Sequence, residues 1–307
     1  MDKPQPAPER SSRAKVALPR PGPARTDQAA YEFLNELAEE LTQGPLNLPC
    51  FPEIFPRIRQ VLSDPDSGPE DIVRIAGTEP RLSARLLQIA NSAVFNPSGK
   101  PLSNLRRAVE LLGHHLIESV LLTLAMAQAK VEPSLRTVAK PLGTLWEKSL
   151  ATASICQVLA ERLGVPADKV FLTGLLHGIG EFYILVRAGQ KGSIAIEDLL
   201  GDYVANNHAL LGRAVMEKWG FEPIICEAIG DQRQYQHHSR SRRGPDITDA
   251  LIVSVLLADA LIEQRPNLQH CASVTSFATL RLSGEEAMTI LKHTEHTLGS
   301  LRDALAI

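Results

Sequence analysis

The chain has no paired cysteines to organise it. Its four, Cys50, Cys156, Cys226 and Cys271, lie far apart and form no C-x-x-C. This excludes a structural zinc ribbon and a disulfide scaffold, and it fits a reducing compartment. Aromatic residues are only 5% of the sequence, too few for an aromatic-rich sheet, while abundant Leu and Ala favour helix. Long apolar runs are also missing. The longest, near 120–129 and 250–258, fall short of the roughly 18 residues that a membrane span requires, so no membrane partner is expected. The net charge of −3 supplies no overall attraction to nucleic acid or to an anionic lipid surface. There is no internal repeat, Gly-rich phosphate loop, G-x-S-x-G elbow or H-E-x-x-H helix, which closes the usual motif routes to an enzyme. Residues 1–27 are polar and proline-rich rather than apolar, unlike a secretory leader, and the expected location is cytoplasmic.

What is present is a succession of helical patterns. Residues 1–26, with prolines at 4, 6, 8, 19, 21 and 23 and almost no large apolar side chain, cannot offset their own ordering entropy and read as a disordered tail. A first helix over 27–45 carries the stripe Phe33, Leu34, Leu37 and Leu41, and Gly44-Pro45 ends it. From 46, Pro49, Pro52 and Pro56 fix an extended entry to the folded core. A short helix follows over 68–77, and then one through 80–95, for which Thr78 is the expected N-cap. Ser103 is the expected cap of a long helix interrupted near Gly113-His114-His115, and Pro133 and Pro141 bound a linker. The adjacent pair His114-His115 faces two sides of a helix, so it is read as surface or groove rather than as a chelate. A helix over 142–163 stops at Gly164, the expected left-handed terminator.

The next stretch, FLTGLLHGIGEFYILVR (171–187), is an apolar helix with one histidine, His177, at its centre. A buried imidazole must be hydrogen-bonded or metal-bound. Downstream, His208 shares a face with Leu211, Val215 and Trp219. Residues 232–244, QRQYQHHSRSRRG, lack periodicity. Their clustered Arg240, Arg242 and Arg243 are candidates for phosphate or an acidic partner, or simply an exposed loop. The most apolar helix, DALIVSVLLADALI (249–262), carries Asp259 within its pattern, and two more helices are expected over 271–280 and 285–305.

In order along the chain, LPCFPEIFPRIRQVLSDPDSGPEDIVRIAGTEPRLSARLLQIANSAVF, SNLRRAVELLG, LWEKSLATA, FLTGLLHGIG, HALLGRAVMEKWGFEP and VLLADALI together resemble the HDOD family. That family comprises bacterial domains related to HD-type metal-dependent phosphohydrolases. The resemblance implies an all-α, two-lobed fold, with an N-terminal helical lobe over 46–135 and an HD-like bundle over 140–265; the C-terminal helices over 266–307 are read from the pattern alone. It also implies metal positions. An early histidine falls at Lys148, the His-Asp doublet at His177 and Gly178, and the late aspartate at Asp259, while an additional histidine of some members matches His208.

Two of the four ligands are therefore missing. Lysine presents an ammonium with no lone pair to give, and glycine has no side chain. His177, His208 and Asp259 remain as weak candidates for metal, and no metal or cofactor is expected. Lys148 is expected to stand in for the lost cation by pairing with Asp259. The function implied is a non-catalytic signalling module, a pseudo-phosphohydrolase that binds a protein partner or a small ligand such as a nucleotide. Two alternatives stay open: residual metal-dependent hydrolysis of a nucleotide or cyclic dinucleotide, and nucleotide or nucleic-acid binding without chemistry through Arg240, Arg242 and Arg243. The acidic charge balance disfavours nucleic acid.

Overall fold

A computed structural model describes residues 16–21, 25–43, 60–61, 64, 66–78, 80–92, 95–96, 98–129, 131–192, 201–235, 244–262 and 273–305. The described residues contain helices and no strand, so the chain is all-α as its composition implies. Twelve α-helices are described: α1 (Arg25–Gln43), α2 (Pro69–Ala76), α3 (Pro80–Ala90), α4 (Leu105–Ala129), α5 (Ala139–Leu159), α6 (Ala167–Leu176), α7 (Ile179–Lys191), α8 (Asp202–Lys218), α9 (Pro223–Asp231), α10 (Ile247–Ile262), α11 (Thr275–Thr279) and α12 (Gly284–Leu305). The prolines and arginines at 49, 52, 56, 240, 242 and 243 lie outside the described residues.

Helix α5 sits at the centre, packed against α6 and α10 more extensively than any other pair of helices. Its apolar residues point in every direction, since Leu142, Leu145, Trp146, Leu150, Ala151, Ala153, Ile155, Cys156 and Leu159 are all buried, the pattern of a helix enclosed by others. Gly174 on α6 makes the closest approach, because a Cβ there would lie 2.8 Å from Cys156 Sγ and 2.9 Å from Ala153 Cα. Burying Phe171, Leu172, Leu175 and Leu176 in this seam contributes about 2 kcal/mol per side chain. Helices α2, α3 and α4 pack on one another and join the central bundle where α4 meets α6 and α5. Helix α12 spans both groups, lying on α5 and on α3, and Arg302 pairs with Glu147 at 2.7 Å.

Several local expectations are corrected. Thr78, the expected cap of α3, donates its hydroxyl to the Ile75 carbonyl at the end of α2. Asn104, not Ser103, caps α4, accepting from the Arg107 N–H at 3.2 Å. The break in α4 is real and falls at Gly113, whose φ of 68° suits glycine. Pro141 does not bound a linker but lies in the first turn of α5, where its missing N–H has no intrahelical partner to lose. The apolar stretch 171–187 is two helices, with His177 and Gly178 in the turn between them. Only Thr275–Thr279 is helical within 273–280.

The tail expectation also needs correction over 16–21. Val16 and Leu18 pack against the core, and the Tyr203 hydroxyl donates to the Pro19 carbonyl at 2.7 Å. Two apolar side chains and one tied carbonyl hold this short stretch despite its prolines. Helix α1 then lies on α8, with Lys191 of α7 on Glu36 at 2.7 Å and Arg187 on Glu40. By length and apolarity the stretch Ala167–Lys191 passes for a membrane span, yet it is buried inside the bundle and interrupted by the His177 turn.

Candidate functional site

Five elements of the bundle converge on one polar cluster. Helix α5 brings Lys148, the α6–α7 turn brings His177 and Gly178, α8 brings His208, the chain just past α9 brings Gln232 and Arg233, and α10 brings Asp259. Two glycines set the α7–α8 spacing. A Cβ on Gly180 would stand 2.0 Å from the His208 carbonyl oxygen and 2.6 Å from the Gly212 nitrogen. That contact draws His208 against the His177 turn.

Lys148 Nζ lies 2.5 Å from Asp259 Oδ1, and each side chain is about a quarter exposed, 25% and 24%. The pairing expected from the resemblance is therefore present, though less buried than Asp259's place in an apolar helix suggests. His177 is 5% exposed. Its Nδ1 is 2.8 Å from the Gly174 carbonyl, which can only accept, so Nδ1 carries the proton of the neutral ring and Nε2 keeps its lone pair. Burial first, and then the Lys148 charge, hold this imidazole down at about 4 against the Gly174 and Asp259 contributions. It is neutral at neutral pH. The Gln232 amide fixes the turn, donating to the His177 carbonyl at 2.9 Å and to the Ile229 carbonyl at 2.8 Å.

His208 is 2% exposed, and neither ring nitrogen meets a hydrogen-bond partner among the described residues. Burial, with the nearby Arg233, His177 and Lys148, keeps its pKa well below the ordinary imidazole value. Two further groups complete the cluster and were not singled out in the sequence. Glu181, in the first turn of α7, is pushed up by burial while Lys148 and Arg233 pull it down. Arg233 donates Nη1 to the Tyr235 hydroxyl at 3.1 Å, whereas its Nε is buried without a partner among the described residues.

The donor set does not fit the divalent ion that the HD resemblance implies. Lys148 presents a cation where a ligand would stand. At Gly178 the obstacle is steric as well as chemical, since a Cβ there would lie 2.5 Å from Leu145 Cδ1. Leu145 and Lys148 are three positions apart on α5 and so lie on one face, which both occupies the space of a side chain at Gly178 and presents the ammonium to Asp259. Among the described residues no group of three or more His, Cys, Asp or Glu is arranged to hold a metal ion.

The HDOD domain family matches residues 48–235. Among solved structures, a provisionally named metal-dependent phosphohydrolase from Shewanella amazonensis SB2B is similar, with 24% identity and a TM-score of 0.66, covering 91% of this chain and 99% of that one. An HDOD domain protein of unknown function from Geobacter sulfurreducens has 22% identity and a TM-score of 0.55, covering 88% of this chain and 96% of that one. At these identities the likeness establishes the fold. An uncharacterised protein of Treponema pallidum (strain Nichols) is 24% identical over 288 residues, 88% of this chain. The chain spans about half the length of that relative, 52%.

Proposed function

The chain belongs to the HDOD domain family, and on that premise we propose that it is a non-catalytic signalling module, an HD scaffold kept for binding rather than for hydrolysis. The observation that carries this reading is the Lys148–Asp259 pair at 2.5 Å. An ammonium fixed on the late aspartate satisfies that carboxylate without a metal and repels any divalent ion that approaches it. HD-type hydrolysis draws its nucleophile from such an ion, which brings the pKa of bound water near 7. The partner is a protein of a cytoplasmic signalling pathway, met on the surface between the N-terminal helices and the bundle. Binding there shifts the two groups of helices between arrangements, which is the switch.

Elemental analysis and turnover test this together. The full chain, purified without chelator, is expected to hold no stoichiometric Mn, Fe, Zn or Ni and to leave nucleotides and cyclic dinucleotides intact. Hydrolysis that disappears with chelator and in a His177→Ala variant would sink the proposal in favour of a residual phosphohydrolase.

A further inference from the structure

Along α1, Ala30, Phe33, Leu34, Leu37, Ala38 and Leu41 recur at three- and four-residue intervals and are all buried, Leu34 and Leu37 completely. This stripe is laid on α8, and the polar ties that flank it reach α7 and α8. Glu36 pairs with Lys191 at 2.7 Å and Glu40 with Arg187, both cations of α7. The Tyr183 hydroxyl of α7 donates to the Leu37 carbonyl at 3.5 Å. From α8, Lys218 Nζ donates to the Leu41 carbonyl, and Tyr203 meets Tyr31 edge-on with ring centroids 6.0 Å apart. The α7–α8 face therefore receives a helix: an apolar floor edged by Arg187, Lys191 and Lys218.

Helix α1 fills that face but matches its edge incompletely. Arg187 Nε and Glu40 Oε2 are buried with no hydrogen-bond partner among the described residues, and Lys191 Nζ stands 3.8 Å from that same Oε2, beyond hydrogen-bond reach. A guanidinium holds a carboxylate most firmly through two parallel N–H···O bonds; here one nitrogen and one oxygen of the pair are left over, and each orphaned atom weakens the contact. The Glu36–Lys191 pair is more open, its carboxylate 58% exposed, and so is screened by salt. Residues 44–59 join α1 to the described chain at 60, a length sufficient for α1 to part from α8 without moving α2.

We propose that the α7–α8 face under α1 is a docking surface for an acidic amphipathic helix of a protein partner, which α1 occupies until that helix displaces it. The partner helix repeats the pattern of α1: apolar residues at i, i+3, i+4 and i+7, which a groove reads as anchors, and carboxylates four positions apart for Arg187 and Lys191. The three cations repel a basic helix, and the apolar floor gives a nucleic acid nothing to bind. Because its tether keeps α1 at high effective concentration, only a helix that seats Arg187 better than Glu40 does, with both carboxylate oxygens engaged, competes with it. This surface uses none of the Lys148, His177 and Asp259 cluster and goes beyond the non-catalytic reading of that cluster.

Native-state hydrogen exchange on the full wild-type chain is the first test. The amides of α1 are expected to exchange at least about a hundredfold faster than those of α5 and α6, because α1 opens alone; equal protection would make α1 part of the core and overturn the assignment. The second test uses the full chain carrying Leu34→Asp and Leu37→Asp, which places two carboxylates in the buried seam. This variant is expected to release α1 and keep a cooperative melting transition. A fluorescein-labelled peptide of residues 25–43 should then bind it saturably, at least about tenfold tighter than it binds wild type, where α1 competes. The same peptide with glutamine at Glu36 and Glu40 should bind at least about threefold more weakly, and salt should narrow the difference. Loss of the melting transition in the variant, equal peptide affinity in the two proteins, or affinity indifferent to the glutamines overturns the assignment. So does a wild-type dimer whose labelled copies exchange α1, which would give the face to a second copy. Each of these failures leaves the non-catalytic reading standing, since none involves metal or turnover.

Discussion

Lys148 Nζ and Asp259 Oδ1 face each other at 2.5 Å across the α5–α10 seam. Each partner is about a quarter exposed, so the pair lies between a surface ion pair worth under about 1 kcal/mol and a buried one whose breakage costs about 3–5 kcal/mol. Lys148→Met is expected to destabilise the chain by about 1–3 kcal/mol in urea unfolding, and Asp259→Asn by a similar amount. The double variant should recover part of that loss, because neither charge is then left alone. Additive losses would show that the two groups do not interact in solution.

Gly178 gives a steric prediction. The obstacle to a Cβ there is Leu145 Cδ1 at 2.5 Å, the end of a flexible side chain that can move. Gly178→Asp is therefore expected to lower stability by about 1–3 kcal/mol and to bring no metal with it. In a Leu145→Ala background the added cost of Gly178→Asp should shrink, since the collision is gone. A cost unchanged by Leu145→Ala, read from the thermal midpoints of the four proteins, would place the strain elsewhere.

Gly180 should be far less tolerant. Its Cβ would meet backbone, the His208 carbonyl at 2.0 Å and the Gly212 nitrogen at 2.6 Å, and backbone cannot turn aside as Leu145 can. Gly180→Ala is expected to cost about 3 kcal/mol or more by forcing α7 from α8. A melting point close to that of wild type would mean that the two helices are not held at this spacing.

How much of this was legible beforehand depends on how each residue announces itself. A lone histidine inside an apolar stretch stands out, which is why His177 was found, although its place in a turn rather than mid-helix was not. Leu172, Leu175, Leu176 and Ile179 keep helical spacing across the turn, so periodicity carried no mark of the break. The pairing of Lys148 with Asp259 was legible only through the resemblance, since a lysine and an aspartate 111 positions apart have no local signature of contact. Glu181 and Arg233 were missed for a common reason: an acid in a helix's first turn and a cation just past a helix's last turn are the ordinary complement of the helix dipole. Leu145 was missed because α5 is apolar on all sides, and such a helix does not disclose which face meets which neighbour. Caps went wrong where two small polar residues stand in a row, as at Ser103-Asn104, and composition cannot choose between them.

The two buried imidazoles set the last expectation, a loss of stability in acid. In the unfolded chain a histidine titrates near its ordinary value of about 6.5, whereas in the fold burial holds His177 at about 4 and His208 well below the ordinary value. The groups facing His177 are Lys148 from α5, Asp259 from α10 and Arg233 beyond α9; those facing His208 are Arg233, His177 and Lys148. Because the folded values are depressed, the unfolded state binds more protons below about pH 6.5, and stability rises with pH through that window. The contribution is complete above about pH 6.5 and is lost as pH falls toward about 4, by about 3 kcal/mol for His177 alone. Urea unfolding at steps from pH 7.5 to 5 should show the midpoint falling, and the fall should be shallower in His208→Leu, where one of the two depressed groups is gone. Side-chain NMR titration separates the residues: a His177 ring that takes up its proton near pH 6.5 in the folded protein would contradict the burial and the Lys148 field together.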